Sequence, residues 1–274
     1  MREAHMTTTP RSRLLGLGSL VPILVLAAAA TQGVPSIFEA VLGESGQSTP
    51  EVSTEELRRV LADKSALVLD ARPFREYAVS HVPGALNVAP KPGVPMSLYV
   101  SDVAEIDRLV HQRKDTAIVL YCNGPFCGKS KRLAVELVAG GYTKIRRYQL
   151  GIPVWRALGG VTQIELEGLR SVLANDRTAV VVDVREPAER QASVFPNAQS
   201  IPRSAVLEGK DVGEIKRAKD DGRLPMEDHN TRLVVIGGAV PARYVAEALA
   251  REAFHNVSYF AGSIDEARAA LQPP

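Results

Sequence analysis

The chain of 274 residues carries two cysteines, and both fall within Tyr121-Cys122-Asn123-Gly124-Pro125-Phe126-Cys127-Gly128-Lys129-Ser130. A thiol attacks as its thiolate, and a pKa of about 8.5 falls beside cations or at a helix N-terminus. This stretch supplies both conditions. A β-branched run, Thr116 to Tyr121, precedes it, and helical spacing of Leu133, Leu137 and Val138 follows it. The loop therefore leads from a strand end into a helix start, whose backbone N–H groups point at whatever occupies its bowl. Gly124 and Gly128 permit the tight turn, and Lys129, Lys131 and Arg132 bring positive charge. Cys122 is the candidate nucleophile. Two cysteines in so long a chain exclude a disulfide-built scaffold and a zinc site of four thiolates.

The elements that must hold this loop are repeated. Ala66 to Asp70 (ALVLD) and Ala179 to Asp183 (AVVVD) are short apolar runs ending in an acid. A shift of 113 positions lays Asp70 on Asp183, Arg72 on Arg185, Glu76 on Glu189, Pro83 on Pro196 and Ala85 on Ala198. A shift of 115 lays the second run, Thr116 to Tyr121, on Thr231 to Ile236. Helical spacing follows each second run, and Ser53 or Thr54 with Glu56 forms a capping box ahead of the first. Helices alternating with strands at this density predict an α/β fold: two domains, each a mainly parallel sheet with helices on both faces. The predicted boundaries are 50–160 and 161–274, with 31–49 as a linker of little fixed structure.

Composition narrows the class of function. The chain is 45% hydrophobic and 23% charged, with 33 Lys and Arg against 31 Asp and Glu, so no bulk basicity points to nucleic acid. Arg2, Arg11 and Arg13 precede an uncharged run from Leu14 to Ala30 that ends in four alanines, the pattern of a secretory signal. The expectation is export to the periplasm with residues 1–30 as a signal peptide; the alternative is a retained membrane anchor facing the periplasm. Charge is uneven: 16 basic and 11 acidic residues over 50–160 give +5, and 14 against 17 from Val161 onward give −3.

Four pieces in order, Leu69-Asp70-Ala71-Arg72 with Glu76-Tyr77, His81-Val82-Pro83-Gly84-Ala85, the Cys122 loop, and Gly151-Ile152-Pro153-Val154-Trp155, resemble a tandem rhodanese (sulfurtransferase) protein. The resemblance covers nearly everything after Pro50. It implies that Cys122 takes a sulfane sulfur from a small anionic donor such as thiosulfate, holds it as a persulfide, and passes it to a thiol or cyanide acceptor, with no metal and no organic cofactor. Asn123, Gly124, Pro125, Phe126, Cys127, Gly128 and Lys129 would then form the substrate-binding cradle. The second copy departs from the family: Gly237 stands in place of the cysteine and its loop is shorter, which implies an active first domain and an inactive second one.

The first loop departs as well, since Cys127 occupies a position where the family commonly has a cation. Cys127 could close a disulfide with Cys122, attack a Cys122 persulfide, or be a small buried residue. A non-catalytic redox-sensing or sulfur-carrier module using Cys122 and Cys127 is therefore the rival to an enzyme. A phosphatase or arsenate reductase of this fold would need an arginine at the seventh loop position, which is Gly128. Asp70 and Arg72, repeated in the copy without a cysteine, read as structural, as do Glu76 and Glu189. His81 reads as orienting a turn ahead of a general acid or base, Trp155 as a core or cleft wall rather than a binding platform, and Lys144, Arg146 and Arg147 as a solvated edge ahead of part of an anion funnel. Phe126 reads either as a rim residue or as packing under the loop.

Overall fold

The computed structural model describes Met1, residues 36–89, 102–190, Phe195 and residues 197–272 of the protein. The expected signal or anchor, and the positions Val194 and Pro196 matched to His81 and Pro83, lie outside the described residues. No helix among the described residues is long and apolar enough to cross a membrane.

The first copy runs α1 (Thr54–Asp63), β1 (Leu67–Asp70), α2 (Phe74–Val79), β2 (Leu86–Asn87), α3 (Asp102–Leu109), β3 (Ile118–Tyr121), α4 (Gly128–Ala139), β4 (Ile145–Tyr148) and α5 (Gly151–Ala157). Its four strands form a parallel sheet in the order β2-β1-β3-β4. Side chains on successive strand residues point to opposite faces, and both faces are apolar. Val68, Val119, Tyr121 and Tyr148 pack with Leu57 and Val60 of α1 and with Ile152 and Trp155 of α5. Leu69, Ile118, Leu120 and Ile145 pack with Ile106 of α3 and with Leu133 and Leu137 of α4. Ser53 caps α1 by accepting from the Glu56 N–H at 3.1 Å, while the Glu56 carboxylate pairs with Arg146.

The second copy repeats this order: β5 (Thr162–Ile164), α6 (Leu166–Asn175), β6 (Val180–Asp183), β7 (Gln199–Ser200), α7 (Gly213–Asp220), β8 (Leu233–Ile236), α8 (Ala239–Arg251), β9 (Val257–Phe260) and α9 (Ile264–Ala269). Its parallel sheet has the order β5-β9-β8-β6-β7. The α2 position is taken by a 3₁₀ turn, Pro187–Arg190. The extra edge strand β5 has its counterpart in a single parallel bridge between Glu51 and Arg147.

Two segments differ from expectation. Residues 36–49 are not structureless. Ser36 caps a 3₁₀ turn, Ile37–Glu39, and the Glu51 carboxylate accepts the N–H groups of Leu42, Gly43 and Glu44 at 2.8, 3.1 and 3.1 Å. Arg147 is not part of a solvated edge either: it is wholly buried on β4 and donates to Glu44, Gln47 and Gln149 at 3.1, 2.7 and 2.7 Å. The two departures have one cause. A buried guanidinium needs a carboxylate, and the polar stretch ahead of the domain delivers it.

The copies meet at α2 and α6. Glu165 N–H donates to Ala78 O at 2.8 Å, and the backbones approach so closely at Gly168 that a Cβ there would fall 2.7 Å from Val79 N. His81 and Gln163 exchange backbone hydrogen bonds of 3.0 and 2.9 Å across the junction.

Candidate functional site

Cys122 is the first residue after β3, and Cys127 is the last before α4. Cys122 is buried at 2% exposure, Cys127 is half-buried, and the two are joined in a disulfide with their Cα atoms 6.2 Å apart. Of the readings the sequence left open for Cys127, the paired one is realised in this structure. Within the loop, Cys127 N–H donates to Gly124 O at 3.0 Å. The N–H groups of Asn123, Gly124 and Phe126 make no hydrogen bond among the described residues, and no side chain caps α4. Those donors belong to one short loop that runs into the α4 start, and N–H groups and a helix start of this kind suit a negatively charged group.

The loop is held from below and from the side. Ile152 N–H of α5 donates to Cys122 O at 3.2 Å. Gly151 adopts φ +68°, and a Cβ there would collide with Gly124 N and lie 2.6 Å from Cys122 O. Gly124, at φ +98°, is itself pressed against Leu150 O. Both glycines are thus needed for the close approach of the α5 start to the cysteine loop. The Asn123 side-chain amide donates to Glu76 of α2, which ties the rim to the neighbouring helix.

Behind the loop lies a buried clamp. Arg72 is 3% exposed and Asp70 is not exposed at all; the guanidinium grips the carboxylate through Nε at 3.0 Å and Nη2 at 2.6 Å, and reaches Ser80 O at 2.5 Å. Arg72 keeps its proton more firmly than usual, since the hydrogen bond to Asp70 and its charge outweigh the desolvation that acts in the other direction. Tyr121, directly before Cys122, is fully buried; its hydroxyl accepts from Val82 N–H at 3.1 Å, and the Arg72 guanidinium lies 5.7 Å from its ring centroid. Burial and the Asp70 charge hold that phenol protonated far above its ordinary range. The second copy has the same grip, Arg185 on Asp183 at 2.7 Å, but Ile236 in place of the tyrosine.

The predicted cradle residues divide by exposure. Asn123, Pro125, Gly128 and Lys129 are exposed, Gly124 is buried, and the Phe126 ring stands fully in solvent rather than beneath the loop. Of the nearby cations, Arg132 is engaged by Asp102 at 2.9 Å and Lys131 lies 3.9 Å from Glu44, whereas Lys129 makes no ion pair among the described residues. His81 is 1% exposed: it stacks on Tyr77, donates from Nδ1 to Tyr77 O at 2.9 Å, and has its Nε2 3.4 Å from the Glu165 carboxylate. Trp155 is a core residue whose Nε1–H donates to Val161 O at 2.9 Å. Reading the sequence missed Tyr121 and the contact role of Gly151. The tyrosine had a signal, its position opposite Asp70 in the two matched runs.

A model of the rhodanese-like domain matches the chain twice, over residues 53–158 and 167–270. The chain belongs to the rhodanese-like domain family. A stretch of 106 residues of this chain is similar to a helix-turn-helix-type transcriptional regulator of Mycobacterium tuberculosis, at 34% identity, taking in 38% of this chain and 40% of the regulator. This chain thus spans less than half of that relative. Among solved structures, a thiosulfate sulfurtransferase of Pseudomonas aeruginosa is 22% identical, covering 78% of this chain and 43% of its own, with a TM-score of 0.32. A 3-mercaptopyruvate sulfotransferase of Escherichia coli is 17% identical, covering 79% and 99%, with a TM-score of 0.34.

Proposed function

We propose that the protein is a sulfurtransferase in which reduced Cys122 carries sulfane sulfur from a small anionic donor, thiosulfate or a similar species, to a thiol or cyanide. The Cys122 thiolate attacks the outer sulfur of thiosulfate, a sulfur–sulfur bond forms, and sulfite leaves; the acceptor then takes the outer sulfur and restores the thiolate. The observation that carries this reading is the placement of Cys122 in a rhodanese-like loop that runs into a helix start and whose Asn123, Gly124 and Phe126 N–H groups make no hydrogen bond among the described residues. The +5 charge of residues 50–160 favours such a donor over neutral ones. Asn123 to Lys129 form the cradle, and the second repeat, without a cysteine, supports the first by packing. The export signal proposed for residues 1–30 would put this chemistry in the periplasm.

The test is to incubate reduced protein with thiosulfate, locate the added sulfur by mass spectrometry of peptides, and follow thiocyanate after cyanide is added. One sulfur atom on Cys122 and thiocyanate formation are expected; undiminished turnover in Cys122→Ser would overturn the assignment. The Cys122–Cys127 disulfide favours a second reading, a thiol module that senses oxidants without turnover. Absence of thiocyanate with every sulfane donor, together with reversible disulfide formation, would select it.

A further inference from the structure

We propose that Cys127 is a resolving thiol: it attacks the Cys122 persulfide and releases sulfide, so that the loop converts sulfane sulfur to sulfide at the expense of its own two thiols. The inference rests on the persulfide reading above and extends it from transfer to reductive release. Cys122 and Cys127 sit at the two ends of one six-residue connection between β3 and α4, and the structure joins them. A thiol that can reach the Cys122 sulfur to bond with it can also reach that sulfur when it bears a second one.

The step balances. The Cys127 thiolate forms a bond to Cys122 Sγ, the bond from Sγ to the outer sulfur breaks, and the outer sulfur leaves as hydrosulfide with the electron pair. Two thiols are oxidised to one disulfide, and one sulfane sulfur is reduced to sulfide. Hydrosulfide is the best leaving group available on Sγ, because it departs from among the unpaired loop N–H groups that favour a negative charge. The disulfide must be reopened before the next cycle by a dithiol reductant, a protein cysteine pair or a small dithiol. Exposure sets where that reductant attacks. Cys122 is 2% exposed whereas Cys127 is half-buried at the loop's outer end, so the incoming thiolate reaches Cys127 and expels Cys122 as the thiolate that starts the next cycle.

This arrangement separates the loop from a simple oxidant trap. An oxidant is not needed to close the disulfide; the sulfur donor itself supplies the oxidising equivalent. It also accounts for a cysteine where a cation would serve a transfer-only cradle.

The experiment uses the full chain, reduced and freed of reductant under exclusion of air, with thiosulfate as the probe. In the parent without cyanide, the species with one sulfur added on Cys122 is expected at early times, giving way to a species lighter than the reduced protein by two hydrogens with one equivalent of sulfide released. In Cys127→Ser the added-sulfur species should accumulate and release no sulfide. Serine is a good N-cap, so the variant keeps the start of α4. Equal lifetimes of the added-sulfur species in the two proteins, or equal sulfide release, would overturn the resolving role while leaving the transfer reading in place. If neither protein gains sulfur from thiosulfate or from a glutathione persulfide, both readings fall.

Discussion

The two copies differ most where β3 and β8 hand over to a helix. In the first copy six residues, Cys122 to Cys127, separate Tyr121 from Gly128; in the second, Gly237 and Gly238 alone separate Ile236 from Ala239. Both glycines adopt positive φ, +125° and +101°, as so short a turn requires. At the strand ends beside this turn the copies agree down to single hydrogen bonds: Ala71 N–H donates to Tyr121 O and Val184 N–H to Ile236 O, each at 3.0 Å, and each copy has its Asp–Arg grip. What is shared between a repeat with the cysteine and one without it belongs to the scaffold, and what is lost with the cysteine is tied to the cysteine. By that criterion Asp70 and Arg72 hold the strand ends together. Tyr121, the loop and Gly151 serve the cysteine.

The comparison is tested first by deletion and graft. Cys122→Ser should lower thiocyanate formation on the order of a thousandfold, as expected for loss of a covalent nucleophile. Adding Gly237→Cys to that variant should restore none of it, because a Cβ at residue 237 would press to 2.9 Å on Val184 and the two-residue turn leaves no cradle. Any recovery above the single variant would show that loop length does not decide activity.

The clamps come next. Arg72→Leu leaves the buried Asp70 carboxylate without its counter-charge and should cost about 3–5 kcal/mol in urea unfolding. Arg185→Leu should cost less, since Arg190 also lies 3.4 Å from Asp183 and Arg185 is more exposed. Equal losses would mean that the tyrosine and Ser80 O add nothing to the first clamp.

Gly151→Ala should destabilise the protein by about 1–3 kcal/mol through the strained positive φ. It should also slow turnover on the order of tenfold or more, by displacing Cys122 and Gly124. Slowing without a matching fall in stability would still support the positioning role, whereas unchanged turnover would remove it.

The smallest expected effect is on pH dependence. Burial holds the His81 imidazole down to about 4, against an ordinary value of 6.5, despite the opposing influence of the Tyr77 carbonyl. The folded state therefore resists protonation of His81. Its contribution is complete above about pH 6.5 and is lost progressively as pH falls toward about 4. Urea midpoints measured near neutrality and at about pH 5 should diverge in the parent and converge in His81→Gln. Parallel profiles for the two proteins would take His81 out of the junction's energetics.

The repeat was legible because its signals are local. The central strands β1, β3, β6 and β8 are short, mainly apolar runs, and the nearly constant shift between copies is a property of the chain alone. The cysteine loop was legible for the same reason, since its strand, turn glycines and helix start are consecutive. Arg147 was misread as an edge residue because its partners Glu44 and Gln47 lie about a hundred positions away in sequence, and no pattern near Arg147 marks it as buried. His81 was recognised as a turn residue, but its pairing with Gln163 across the junction depends on how the two copies dock.

The sequence by itself determined that two copies of one parallel α/β unit exist, that only the first has thiols, and that these thiols stand between a strand and a helix. Periodicity and residue identity suffice for that, because each is read within a few neighbouring positions. Only the tertiary structure decided that Cys127 reaches Cys122, that Gly151 must lack a side chain to let α5 approach the loop, and that Tyr121, the residue before Cys122, packs against the Arg72 clamp. Those are contacts between segments brought together by the packing of two sheet faces, and their distances are set by that packing rather than by any pattern along the chain.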